Sequence, residues 1–560
     1  MAEMTAAEAA VRILESEGVR HVFGIPGTAV LPVYRALKDI GTIKHIIARH
    51  EEGAIHMADG YARASGGVGV CIATSGPAAT NFVTGLYTAK ADSIPVLAVT
   101  GQHDQLGRES FQAVDIAEIV RPIVKRAYYV RDAVMVPWVF REAFKTMKEG
   151  RPGPVLIDLP LSVQKGLIRF DAVMNPPLPI VPVPPFPQQI RTAMDMILEA
   201  ERPVMLLGGG VILANACEEF VAVAEALGVP VVTTYMGKSG IAWNHPLMAG
   251  HVGTQCNTPS GNRALLDATL VFAVGSRFND RHTGDIATYK GQRTFIHVDV
   301  CASAIGRNIM PDLGIWADAK LTLRAMLDEV RRRGLKRRSP WRDITVLREG
   351  TERETAFEEV PIKPQRAFQE INAAFDPDTV FVTSIGLHQI WSGQLQRIVK
   401  PRHHLTCGGA GTLGWDLPAS IGAKVARPEK PVVCIVGDYG FQFCMQELTA
   451  AVMYDVPFLC IVLNNGYLGL IRQNQEFHYD MDYETSIWYE HGENGHRGFD
   501  FVKFAEACGA RGERVVDPKE LGPAFHRGLT SKGPYVVDVI LERNTWCAMG
   551  PAIDAIREQP

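Results

Sequence analysis

The chain has 560 residues, 47% of them hydrophobic and 21% charged, with a formal net charge of −4. That length allows three or four domains with sizeable cores, and the balance is that of an ordinary globular protein. The mild negative charge and the lack of a long basic run argue against nucleic acid or an anionic membrane as the main partner.

The sequence contains 52 Gly and 35 Pro, so many tight turns are expected, as in repeated strand–loop–helix units. The ten Cys form no CxxC pair, and Cys71, Cys434 and Cys460 lie in apolar runs, where Cys acts as a small buried hydrophobe. A reduced, cytoplasmic protein is expected. The N-terminal stretch carries Glu3, Glu8, Glu15 and Glu17 and reads as an amphipathic helix, not a signal peptide. No apolar run approaches the ~18 residues of a membrane span.

Segment 1–172 alternates apolar runs with helical patterns. HVFGIPG, HIIA, GVGVCIATSG, IPVLAVTG and PVLIDLP read as strands, with helices near 30–38, 51–64 and 78–90 between them. Such alternation predicts a mainly parallel α/β sheet. The proline-dense stretch 175–189 predicts a stiff extended linker. Segment 190–335 repeats the grammar with PVMLLGGGV, PVVTTYMG, LVFAVGSRF and TFIHVDV. The basic stretch 331–342 reads as a solvated helix end and linker. Segment 362–550 has TVFVTSIG, PVVCIVGDYG, PFLCIVLNNG and GPYVVDVIL as its main strands. Together these predict three doubly wound, mainly parallel α/β domains. The third segment parallels the first around Cys71 and Cys434, either because all α/β units look alike or because one domain was duplicated.

The chemistry concentrates in the third segment. Gly437-Asp438-Tyr439 ends one predicted strand, and Asn464-Asn465 ends the next. In a parallel sheet both ends lie on the ligand-binding edge. The Asp438 carboxylate, the Asn465 amide oxygen and the Tyr467 carbonyl then make a hard oxygen site suited to Mg²⁺ or Ca²⁺ holding a diphosphate. Gly437 and Gly440 let backbone approach the phosphates. The bland alternative is a pair of ordinary turns.

With these motifs the sequence resembles the thiamine-diphosphate (ThDP) enzymes, in the acetolactate synthase-like branch. The resemblance covers essentially the whole chain. It implies a pyrimidine-binding domain, a central FAD-type domain and a diphosphate-binding domain, in that order. It implies that Glu51, in RHEEGAIHMADGYARA, contacts the cofactor's aminopyrimidine, with Glu52 as a helix N-terminal acid. It implies that Leu413 props the cofactor in a bent form, that Gly411 and Leu413 hold the pyrimidine edge, and that His388 reaches the diphosphate. GRPGPV, SRFNDRHTG and HVDV resemble FAD-binding parts of this branch. They imply a structural FAD contacted by Arg151, Gly208, Gly209, His251, Gly275, Arg277 and Asp299. The alternative is glycines that merely end strands in an empty domain.

Within the branch, NNGYLGLIRQNQEFHYDMDYE, FNDRHTG, VILERNT and KPQRAF resemble the glyoxylate carboligase family. Acetolactate synthases usually carry VxQW after the NN pair. Here Ile471-Arg472-Gln473-Asn474 stands in its place, and Arg472 either offers a cation to a carboxylate or lies on the surface. Ile385, Leu413 and Leu468 match an apolar lining suited to a two-carbon acid. Gly27, Phe111 and Gln112 match substrate-side positions for oxyanion support, packing and hydrogen bonding. The implied reaction joins two glyoxylates to tartronate semialdehyde and CO₂. The alternative is acetolactate synthase or another 2-oxoacid carboligase with pyruvate as donor, and a rival from another class is a non-catalytic cofactor-binding subunit. One departure is Glu51 itself, because the best-known glyoxylate carboligases carry an apolar residue there. The resemblance also implies a homo-oligomer, at least a dimer and on family grounds a tetramer. Glu51 of one chain would then face the metal motif of another.

Overall fold

The computed structural model describes residues 2–104, 110–487 and 498–558. Among the described residues, twenty strands form four sheets. The first domain contributes β1 (Ala2–Thr5), β2 (His21–Gly24), β3 (Lys44–Ile47), β4 (Gly69–Ala73), β5 (Val96–Gln102), β6 (Arg126–Tyr129), β7 (Val155–Pro160) and β8 (Leu167–Phe170). The central domain contributes β9 (Pro203–Leu207), β10 (Val231–Thr233), β11 (Met248–His251), β12 (Leu270–Val274), β13 (Thr294–Asp299) and β14 (Leu313–Trp316). The third contributes β15 (Val380–Thr383), β16 (His404–Thr406), β17 (Val432–Gly437), β18 (Leu459–Asn464), β19 (Arg511–Val515) and β20 (Tyr535–Ile540).

Each domain is built on a six-stranded parallel sheet, so the expected α/β class holds. The first sheet runs β3-β2-β4-β5-β7-β6 and the third β16-β15-β17-β18-β20-β19. These are one topology, strand for strand, which supports duplication over a generic α/β likeness. The central order, β11-β10-β9-β12-β13-β14, is that of dinucleotide-binding sheets. Interior strands sit where apolar runs predict them, since a strand covered on both faces reads as a continuous apolar run.

Three local expectations need correction. Residues 2–5 form β1, antiparallel to β8, and the first helix starts only at Ala6. Thr5 ends the strand and caps the helix. Its hydroxyl accepts from the Glu8 N–H at 3.2 Å, while the Glu8 carboxylate accepts from the Thr5 N–H at 2.7 Å. The extended linker stops at Phe186, because Pro187 takes the first turn of a helix, where its missing N–H costs nothing. The helix expected over 78–90 is two pieces, Pro77–Thr80 and Val83–Asp92. All ten cysteines are free, and Cys71, Cys434 and Cys460 are fully buried. Among the described residues no helix is long and apolar enough to cross a membrane.

One hydrophobic core runs through both ThDP-type domains. At its centre the Glu51–Ser65 helix crosses the Asp416–Ala426 helix. Small residues make the crossing close. A Cβ on Gly60 would lie 2.2 Å from the Ala419 carbonyl oxygen, and one on Gly422 1.9 Å from that of Met57. Beside the crossing, Arg63 is buried with full partnership. It donates to Asp59 (2.5 Å), Asp92 (3.0 Å) and the Thr406 carbonyl (2.6 Å), and it lies over the Trp415 ring.

After β20 the chain returns to the central domain. The Gly550 N–H donates to Thr254 O at 3.1 Å, and the Asp285 N–H donates to Pro551 O at 2.9 Å. Asn262 donates to Ile553 O at 3.1 Å, and Arg353 pairs with Glu558.

Gly422→Ala forces backbone apart at the crossing, so it is expected to lower unfolding stability by about 1–3 kcal/mol. The urea midpoint, at unchanged slope, measures this.

Candidate active site

The strand-end edge of the third domain gathers most of the motif residues. Asp438 begins a short helix directly after β17. One carboxylate oxygen accepts from the Tyr439 N–H and the other from the Gly466 N–H, both at 2.7 Å. Asp438 therefore ties the GD turn to the NN turn. Burial pushes its carboxyl up to about 7, against the pull of these amides. The Asn465 side-chain oxygen accepts from the Tyr467 N–H at 3.3 Å. Beneath them Asn464 donates to Asp538 at 2.8 Å, and Arg514 donates to the other Asp538 oxygen at 2.9 Å. These bonds bring the Asp438 and Asn465–Tyr467 turns side by side, and a carboxylate, an amide oxygen and a main-chain carbonyl are donor types that a hard divalent cation takes.

His388 lies against the same turn. A Cβ on Gly437 would sit 3.1 Å from its Nδ1, and one on Gly386, at φ +143°, only 2.7 Å away. Glycines on both sides make room for the ring. Its Nε2 is buried with no hydrogen-bond partner and lies 3.7 Å from Asp416, whose carboxylate accepts from Ser384. The ring thus turns its Nδ1 edge to the glycine turn, where an anionic ligand such as a diphosphate would lie, and its Nε2 toward the Asp416 carboxylate. Ile385 lies 3.6 Å from where a Gly411 Cβ would be, and Leu413 lies 3.9 Å from that of Gly440. These apolar side chains flank the turn. Leu468 is half-buried just beyond Tyr467, its N–H bonded to Thr485 O at 2.8 Å. Arg472 is neither a free cation nor a bare surface residue. It pairs with Asp482 at 2.7 Å and stacks on Tyr467, 4.1 Å from the ring centroid.

The first domain places the remaining substrate-side residues at its own switch point, between β2 and β4. Glu51 opens its helix, half-buried, and accepts from Asn81 at 2.9 Å. Glu52 turns instead toward His56, 3.6 Å away. Gly27 lies against Thr74, with 2.5 Å from a would-be Cβ to the Thr74 Cβ. Gln112, at φ +57°, rests on Gly76, and Phe111 is 79% exposed in the single chain.

The central domain borders a cavity of about 400 Å³ shared with its neighbours. Arg151, Gly209, Gly275, Arg277 and Asp299 line it. Gly208 stands behind the lining, with Gly275 O 2.2 Å from its would-be Cβ, so it serves close packing of β9 and β12. His251 does not line the cavity. Its Nδ1 contacts Thr233 at 2.7 Å and its Nε2 the buried Lys238 amine at 2.9 Å. Burial lowers that amine to about 7. Arginines and strand-end glycines are the lining that a phosphorylated dinucleotide takes.

Two contributors escape sequence inspection. Arg281 lines the cavity, donates to Gln255 at 2.5 Å and keeps a buried Nη2 unpartnered. Glu447 is fully buried and accepts from the Arg49 N–H (3.0 Å) and the His50 N–H (2.9 Å). It thus holds the backbone just ahead of the helix that begins with Glu51, whose N-cap is His50, with Nδ1 accepting from the Glu52 N–H at 3.2 Å. Gly53 has no Cβ because Glu447 occupies that space, 2.2 Å from where one would be. The only visible signal for Glu447 is Gly53 itself, a glycine within a helical pattern.

Burial raises the Glu447 carboxyl to about 7. A raised folded-state pKa gives stability that is present below about 4.5 and lost as pH rises through about 7. Glu447→Gln keeps an oxygen for both amides but cannot ionise. Its stability relative to wild type is therefore expected to climb between about pH 4.5 and 7, by at most about 1.4 kcal/mol per pH unit. Paired urea titrations across that range measure it.

The comparisons agree with this geometry. Family models described as thiamine pyrophosphate enzyme, N-terminal TPP binding domain, central domain and C-terminal TPP binding domain match residues 4–119, 190–326 and 384–539. The chain is 45% identical to a glyoxylate carboligase of Escherichia coli O157:H7, covering 100% of this chain and 96% of that protein. It is 40% identical to an acetolactate synthase of Arthrospira platensis, covering 97% and 95%. It is 38% identical to a probable acetolactate synthase large subunit of Methanococcus aeolicus, covering 100% and 96%. With all three domain descriptions matched in order on sheets of the right topology, this chain belongs to the thiamine pyrophosphate enzyme family.

Proposed function

We propose that the protein is a decarboxylating carboligase that joins two glyoxylates to tartronate semialdehyde. Two glyoxylate anions and one proton give one tartronate semialdehyde anion and one CO₂, so no oxidant or reductant is consumed. The observation that carries the reading is full-length likeness to a glyoxylate carboligase at 45% identity, with Asn474 where acetolactate synthases usually carry a tryptophan.

ThDP supplies an electron sink for decarboxylation and a nucleophilic carbon when bound. The chain's own residues would hold and shield it. Asp438, Asn465 and the Tyr467 carbonyl would hold a Mg²⁺ on the diphosphate, and the Nδ1 edge of His388 would meet an anionic oxygen. Glu51 would keep a proton at the pyrimidine ring, oriented by Asn81. Leu413 would support the cofactor from below. Ile385, Leu413 and Leu468 would exclude water and favour loss of carboxylate charge. Gly27, Phe111 and Gln112 would close the substrate side. FAD would fill the central cavity with no redox part in the reaction. The assembly would be a homodimer or a tetramer made of two such dimers, with a small 2-oxoacid as substrate.

A second reading, pyruvate-donor acetolactate synthase chemistry, is favoured by Glu51, since the best-known glyoxylate carboligases lack that carboxylate. Product analysis separates the two. With ThDP, Mg²⁺ and glyoxylate, tartronate semialdehyde and CO₂ are expected in equal amounts. Acetolactate as the main product of a glyoxylate–pyruvate mixture would overturn the first reading. The flavin proposal has its own measurement. The purified protein is expected to be yellow and to release about one FAD per chain on denaturation.

A further inference from the structure

Asp158 lies on β7 beside Thr100 on β5 and is fully buried. Its carboxylate accepts from the Thr100 hydroxyl at 2.7 Å and from Gln102 Nε2 at 3.2 Å. Gln102, also fully buried, has a wider reach. Its Nε2 donates to the Val114 carbonyl at 2.6 Å, and its Oε1 accepts from the His103 N–H at 3.0 Å. One amide group therefore grips the backbone on both sides of a segment that leaves β5 and returns at residue 114.

The amide can do this in one orientation only. Its two N–H groups serve Asp158 and Val114, and its oxygen serves His103. Asp158 fixes the choice, because its carboxylate oxygen facing Gln102 accepts from Nε2. Without an acceptor at 158 the amide is free to turn, and Val114 O loses its donor.

What the segment carries gives the pair its interest. Phe111 and Gln112 lie on it, and Gln112 rests on Gly76 at the end of β4. Gly76, at φ +65°, precedes the helix that leads to Asn81, the partner of Glu51. Residues 110–114 thus meet, through Gln112 and Gly76, the turn that leads to Asn81 and Glu51.

The duplicated fold supplies a second, independent observation. Asp538 on β20 accepts from Asn464 on β18 at 2.8 Å. Gln102 is in register with Pro160, two residues beyond Asp158, and Asn464 with Ile540, two residues beyond Asp538. The two acid–amide pairs occupy the same place in the two copies. In the third domain the pair underlies the Asn465–Tyr467 turn.

We propose that Asp158 and Gln102 are positioning residues for the substrate-facing stretch 110–114, as Asp538 and Asn464 are for the metal-side turn. This rests on the reading that Phe111 and Gln112 face the substrate. Neither Asp158 nor Gln102 touches substrate in this scheme. They act through the segment they hold.

The test uses the ThDP- and Mg²⁺-loaded full chain and a swap. In the double variant Q102E/D158N, the amide introduced on β7 donates to the carboxylate introduced on β5, so the pair re-forms and His103 keeps its acceptor. Val114 alone loses its donor. Q102A removes every bond at once. Three quantities are read: kcat and KM for glyoxylate, retained ThDP, and hydrogen exchange at Ala113 and Ile116, whose amides bond to Ser110 and Val114. Both variants are expected to speed exchange at these amides and to lower kcat/KM at least tenfold, with ThDP content unchanged. The swap is expected to unfold at a urea midpoint between those of Q102A and wild type, since only the Val114 carbonyl is left without its donor. Wild-type exchange and kcat/KM in the swap would overturn the proposal, because the pair would then be only a strut between strands. If wild type turns over no glyoxylate, the functional reading fails, while the exchange measurement still decides whether Gln102 holds the segment.

Discussion

Everything in this molecule that concerns chemistry hangs on the crossing of two helices, Glu51–Ser65 and Asp416–Ala426. They approach so closely that the carbonyl of Met57 fills the space of a Gly422 side chain. Contacts at that range gain dispersion from backbone as well as side chains. They also tolerate one relative placement, since any other puts peptide groups into each other. The buried Arg63 cluster locks the same joint electrostatically. Its guanidinium reaches Asp59, Asp92 and a carbonyl of the third domain, so removing one partner strands a buried charge.

From that joint the rest follows. The crossing helices belong to equivalent places in two sheets of equal topology, so the pairing is close to two-fold symmetric within one chain. The ligand-binding edge of each sheet is thereby set by the other. Glu447, from the third domain, holds the Arg49 and His50 amides just ahead of the helix that begins with Glu51. Asp92, from the first, accepts from the Gly409 N–H at 2.7 Å near the Gly411–Leu413 turn. Each copy reaches across to steady the other's functional backbone. The central domain stands outside this pair and adds its own cavity, with Arg151 supplied from the end of the first domain.

How much of this could be read from the chain depends on whether a partner is local. GD and NN were legible because each pair ends a strongly apolar interior strand, and adjacent strand ends must meet. The domain order and the three sheets followed from the same apolar runs. The edge strands β6, β11, β14, β16 and β19 were not legible. RGERV and MAGH lack an apolar run because one side of an edge strand faces solvent or a loop. Arg63, Glu447 and the Asp158–Gln102 pair were hidden for another reason. Asp92 and Thr406 on Arg63, Arg49 and His50 on Glu447, and Gln102 on Asp158 lie between about 30 and 400 positions from their partners, and nothing local signals those pairings. The N-terminal helix was read correctly in kind but started too early, because Thr5 serves at once as strand end and cap. His251 looked like a cavity residue and proved to be committed to Lys238 and Thr233. Periodicity reports which face is buried, not what the buried ring meets.

The return of residues 550–553 to the central domain bears on the order in which the molecule can be built. Thr254, Asn262 and Asp285 leave the ribosome long before the backbone that bonds to them. At elongation rates of about 5–20 residues per second, the interval is on the order of tens of seconds. During that time the central domain can form its sheet, but one of its flanks is left open to water. Completion therefore coincides with the end of third-domain synthesis, and the last stitch joins a unit made second to one made third. A nascent chain stalled after β20 would hold three sheets and an unsealed seam, the kind of surface that chaperones detect.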